Sequence, residues 1–111
     1  MDIEKALNHL RDHAKDLADA RENLVYLEHF RKSKKAILMA EAEGKGIKAA
    51  YKQEVYAYSH PEYLEFLQGL KVAVGEYEKL KHLQIAAQLK IEVWRSLYSV
   101  KKFEMNTYGV K

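Results

Sequence analysis

Residues 59–98, SHPEYLEFLQGLKVAVGEYEKLKHLQIAAQLKIEVWRSLY, decide the fold. Steps of three and four from Tyr63 pass through Phe66, Leu70, Ala73, Tyr77, Leu80, Gln84, Ala87, Ile91, Trp94 and Tyr98, and ten of these eleven positions are apolar or aromatic. A heptad seam held for five repeats, with Lys and Glu between its positions, specifies a long helix whose stripe another helix must cover.

The rest of the chain supplies the covering element. From Asp2 to about Glu43 the sequence reads as one helix of about 60 Å at 1.5 Å per residue. Asp2 is placed to cap it, and Ile3, Leu7, Leu10, Ala14 and Leu17 form its first apolar stripe. Arg21 interrupts that stripe. Leu24 and Leu27 resume it before it drifts to Phe30, Ile37 and Ala40. The sequence Gly44-Lys45-Gly46 ends the helix, because a glycine past the last turn adopts the left-handed conformation that closes it. Residues 47–58 form a short second helix. The third helix begins either at a Ser59/Glu62 capping box or at a His60 cap with Pro61 as first helical residue, and runs over about 61–102. The expected architecture is a single all-α domain of 111 residues: a long antiparallel, coiled-coil-like helical hairpin with the short helix at its tip. The tail 105–111 is expected to fray.

Beyond its seam, the third helix carries Leu83, Ile85, Leu89, Val93 and Leu97 around much of its circumference. With Trp94 these are the expected contacts of a homo-oligomer, a dimer or larger bundle, since one partner helix cannot cover them all. The alternative is that the first and second helices wrap around the third within one chain.

With 48% hydrophobic and 32% charged residues, five Gly and one Pro, the composition is that of a long-helix protein. No cysteine is present, which excludes disulfides and thiolate chemistry and fits a reducing cytoplasm. The first residues, MDIEKALNHLRDH, have no apolar core segment and do not read as a signal peptide; no run reaches the ~18 apolar residues of a membrane span.

No catalytic, cofactor or metal motif is complete. His9 and His13 lie four apart near Asp12 and Asp16, but Leu10 stands where a metalloprotease needs its Glu. Lys45 precedes a helix bearing Lys48 and Lys52, without the residues of a nucleotide-binding loop. Ser59 beside His60 is explained by capping. Glu41 and Glu43, or Glu76 and Glu78, are two apart and do not face each other on a helix. No enzymatic activity, cofactor or metal is expected.

Charge is more informative. The net +3 divides as −2 over residues 1–25, +3 over 26–55 and +2 over 56–111. Arg31, Lys34 and Lys35 share one face beside Lys32, and Lys45, Lys48 and Lys52 fall at the same end of the hairpin with Tyr51, Tyr56 and Tyr58. Cations that neutralise phosphates beside aromatics that stack on bases are the chemistry of single-strand nucleic-acid binding. The competing reading is a solvated face balanced by Glu28, Glu41, Glu43 and Glu54, with the tyrosines lining the tip's core.

The phrases HPEYLEFL (60–67) and IEVWR (91–95), with LEHFRKSKKAILMAEAEG (27–44), resemble small helical proteins of tailed bacteriophages and prophages. The resemblance covers about half the chain and implies an accessory role in DNA recombination or replication in the host cell cytoplasm. No catalytic residue follows from it. The rival expectation is a structural adaptor that binds a phage or host protein through exposed apolar helix faces.

Overall fold

In a computed structural model, described over residues 2–107, the chain forms three α-helices: α1 (Ile3–Gly44), α2 (Ala50–Ser59) and α3 (Pro61–Thr107). Among the described residues there is no strand, and the fold is an all-helical hairpin with the short helix at its turn. No helix among them is long and apolar enough to cross a membrane.

The helix ends follow local chemistry. The Asp2 carboxylate accepts the Lys5 backbone N–H at 3.1 Å and caps α1. At the other end Ile47 N–H donates to Ala42 carbonyl and Gly46 N–H to Glu43 carbonyl, both at 3.0 Å, with Gly46 at φ 93°. This is a Schellman closure, and Gly46 is the residue whose conformation requires glycine. Because Ile47 is consumed in that closure, α2 starts at Ala50 and not at the expected residue 47. At α3, His60 is extended (φ −66°, ψ 135°), as the residue before a proline must be. Its Nδ1 accepts the Glu62 backbone N–H at 3.0 Å, so His60 is the cap and Pro61 the first helical residue. The Ser59/Glu62 box does not form: Ser59 Oγ donates to the Val55 carbonyl at 2.6 Å. At its far end α3 runs past 102 to Thr107, so Met105–Thr107 are helical, and the rest of the expected frayed tail lies outside the described residues.

The chain divides into two compact units, Met1–Leu17 with Lys79–Lys111, and Ala18–Glu78. In the second unit, Leu38, Ala57 and Tyr63 bring the three helices together in one buried cluster, with Met39 and Leu67 packed against it. Phe30 and Phe66 rings lie 5.8 Å apart, and Tyr58 meets Tyr63 edge-on at 5.3 Å. In the first unit, Lys5, Ala6 and His9 border one hollow with Leu83, Ala86, Ala87 and Lys90, while Leu10, His13 and Leu17 border another with Leu80 and Gln84. Ascending numbers on α1 meet descending numbers on α3, which makes the pair antiparallel.

The α3 seam is buried or half-buried at every position from Tyr63 to Ile91. Trp94 and Tyr98 depart from it and are exposed, so the covered part of the seam runs to Ile91. The α1 stripe needs a larger correction. Ala6, Ala20, Leu38 and Ala42 turn inward where Leu7, Ala14, Ile37 and Ala40 were expected, and those four are exposed. Heptad spacing holds through Ile3, Leu10, Leu17 and Leu24, and past Leu27 the inward side shifts to Phe30, Leu38 and Ala42 while Arg31 and Glu41 are exposed, so the stripe drifts as expected at Phe30 but not to Ile37 and Ala40.

Candidate nucleic-acid interface

The sequence points to the tip, and the structure gives most of its cations internal partners. Arg31 Nε donates to the Tyr63 hydroxyl at 3.2 Å. Lys34 Nζ donates to Glu62 Oε2 at 3.0 Å and Lys35 Nζ to Glu54 Oε1 at 3.1 Å. Lys35 also lies 4.9 Å from the centre of the Tyr58 ring. Lys45 faces Glu41 at 3.8 Å and the Tyr56 ring at 5.3 Å, and His60 Nε2 stands 3.4 Å from the same Glu41 carboxylate. The three residues expected to share an open basic face therefore stitch α1 to α2 and α3.

The electrostatics agree with that role. The Tyr63 hydroxyl raises the Arg31 guanidinium above its ordinary pKa. The nearby Tyr58 hydroxyl first, and then the Glu54 carboxylate, raise Lys35, although only Glu54 is at bonding distance. Lys45 is raised chiefly by the Tyr56 hydroxyl, acting across a gap longer than a hydrogen bond, since that oxygen is enclosed and has no bonded partner among the described residues. Lys34 holds the Glu62 carboxyl below the ordinary glutamate range.

Lys32, Lys48 and Lys52 remain exposed, and none forms an ion pair among the described residues. Lys52 sits 6.0 Å from the ring of its neighbour Tyr51, which is 67% exposed. Tyr56 is half-buried with its hydroxyl enclosed, so among the three tip tyrosines Tyr51 and Tyr58 present a face to solvent.

A second surface lies on the arm of α3, where every residue from Glu92 to Thr107 is exposed. One face carries Trp94 and Tyr98, whose rings stack at 5.5 Å and 13°. Arg95, Lys101 and Lys102 occupy the same side at helical spacing, and Tyr98, Lys101, Lys102, Met105 and Asn106 line a shallow hollow. None of these three cations has an acidic partner among the described residues. Sequence reasoning took Trp94 as an oligomer contact and missed this patch. The available signal was the change along the continuing seam from apolar residues to lysines at 101 and 102.

The opposite side of the arm is apolar. Ile85, Leu89, Val93, Leu97, Val100 and Phe103 follow one another at steps of four and three, and all are exposed. The chain's own helices therefore do not wrap this side of α3. Of the six residues expected to form an oligomer contact, Ile85, Leu89, Val93 and Leu97 share this face. Leu83 instead lies beside Ala6 of α1, and Trp94 belongs to the cationic side.

His9 and His13 approach with ring centres 4.6 Å apart, and His13 Nδ1 is 3.0 Å from Asp16 Oδ2. Among the described residues no three His, Cys, Asp or Glu side chains converge.

Searches of protein-family models, curated proteins and solved structures find no match for the chain.

Proposed function

We propose that this chain is a non-enzymatic, cytoplasmic accessory protein that binds single-stranded nucleic acid without sequence preference, of the kind that serves phage DNA recombination or replication. The observation that carries the reading is the Trp94–Tyr98 stack, exposed and flanked by Arg95, Lys101 and Lys102, which form no ion pair among the described residues. Stacked aromatics offer a flat surface that any base can extend, and cations on the same side neutralise the phosphates that follow. Lys48, Lys52 and Tyr51 on and beside α2 supply a smaller patch of the same chemistry. The resemblance of residues 60–67 and 91–95 to phage proteins gives the biological setting.

Trp94 is the chain's single tryptophan, so its fluorescence reports on this surface directly. Titration with a single-stranded oligonucleotide at low salt is expected to quench it, with affinity falling steeply as salt rises. No binding at low salt overturns the reading. The second reading, an adaptor acting through protein contacts alone, is favoured by the apolar side of the arm, and it is what remains if quenching is absent.

A further inference from the structure

The apolar side of α3 has no partner among the described residues, and its charges bear on what covers it. In a heptad frame with Ala86, Val93 and Val100 at one core position and Leu89, Ser96 and Phe103 at the other, Lys90, Leu97 and Glu104 fall on one flank. Lys90 and Glu104 are exposed, and neither forms an ion pair among the described residues. Seven residues on either side of Leu97, they carry opposite charges.

We infer that this face pairs with the same face of a second copy of the chain, antiparallel, about a two-fold axis beside Leu97. In that register Leu97 meets Leu97 of the second copy, and Lys90 of each chain meets Glu104 of the other. Val93 packs opposite Phe103, and Ser96 opposite Val100, so small residues face large ones. The other flank brings Glu92 against Asn106 and Ser99 against Ser99, with no like charges opposed. Sliding by one heptad toward residue 83 sets Lys90 against Leu97 and loses both ion pairs. A parallel arrangement places no opposite charges together and aligns the helix dipoles unfavourably. Residues 89–107 overlap over about 28 Å. Because the cationic, aromatic side lies away from this contact, pairing leaves two such surfaces free on the outside of the dimer. The inference stands apart from the nucleic-acid reading, and either can fail without the other.

The absence of native cysteine makes the register directly measurable. Sedimentation equilibrium of the full chain is expected to show a dimer. Leu97→Cys is expected to form an intermolecular disulfide on mild oxidation, and Lys90→Cys mixed with Glu104→Cys to cross-link, while neither does so alone. Lys90→Glu weakens the dimer about fivefold to tenfold, and adding Glu104→Lys restores it. A monomer at all concentrations overturns the inference, as does self-linking of Lys90→Cys, which marks a parallel pair. Since Leu97 is 62% exposed, Leu97→Glu keeps the helical circular dichroism of the wild type and abolishes the dimer; an undiminished dimer in that variant also overturns it.

Discussion

The Arg31 guanidinium on α1 donates to the hydroxyl of Tyr63, the first seam residue of α3, at 3.2 Å, while the Tyr63 ring is 2% exposed among Leu38, Ala57 and Leu67. One side chain thus ends the apolar seam and receives the first of the tip's cations. Replacing Tyr63 by Ala removes a buried aromatic and is expected to cost about 3–5 kcal/mol in urea unfolding. Tyr63→Phe keeps the ring and costs far less, because the exposed Arg31 can turn to water. Equal losses in the two variants would place the weight on the hydrogen bond.

Two glycine substitutions should act in opposite directions. Gly46 holds φ 93°, so Gly46→Ala forces a side chain into the left-handed region and is expected to lose about 1–2 kcal/mol, with no clash involved. Gly69 lies inside α3 with open space where a Cβ would stand, and Gly69→Ala is expected to gain about 0.5–1 kcal/mol. Thermal melts of the two single variants check both signs.

Acid should loosen the tip through Glu62. Its folded pKa is lowered by Lys34, so the stability it contributes is present above the ordinary glutamate range and is lost as pH falls through the lowered value. The urea midpoint of the wild type is expected to drop more between pH 6 and pH 3 than that of Glu62→Gln. Parallel curves would mean that the Lys34–Glu62 pair is indifferent to folding.

Binding and stability should separate between the two basic regions. Replacing Arg95, Lys101 and Lys102 with Ala is expected to weaken oligonucleotide binding uniformly across sequences and to reduce the salt slope by about 2, at roughly 0.7 per lost phosphate contact. Trp94→Ala removes a stacking surface worth about 1–3 kcal/mol per base. Replacing Arg31, Lys34 and Lys35 is expected to lower the melting temperature and leave the salt slope nearly unchanged, because those cations already have partners.

The sequence by itself determined the three helices, the α3 seam from Tyr63 to Ile91, the Asp2 cap and the glycine stop, because these depend on residues three to seven apart along one helix. It left open whether Ser59 or His60 begins α3, since that turns on which side chain reaches which backbone N–H. It misplaced the α1 stripe because Leu7, Ala14, Ile37 and Ala40 look as apolar as Ala6, Ala20, Leu38 and Ala42. Only the helix packed against them selects which of these apolar positions turns inward. The same limit applies to charge. Arg31, Lys34 and Lys35 read as an open basic face until the fold sets Tyr63, Glu62 and Glu54 beside them. Arg95, Lys101 and Lys102 read as scattered until the fold shows them exposed on one side of α3 with Trp94 and Tyr98. Which cations are neutralised and which stay available is decided by contacts between residues distant in the chain, and those contacts exist only in the folded hairpin.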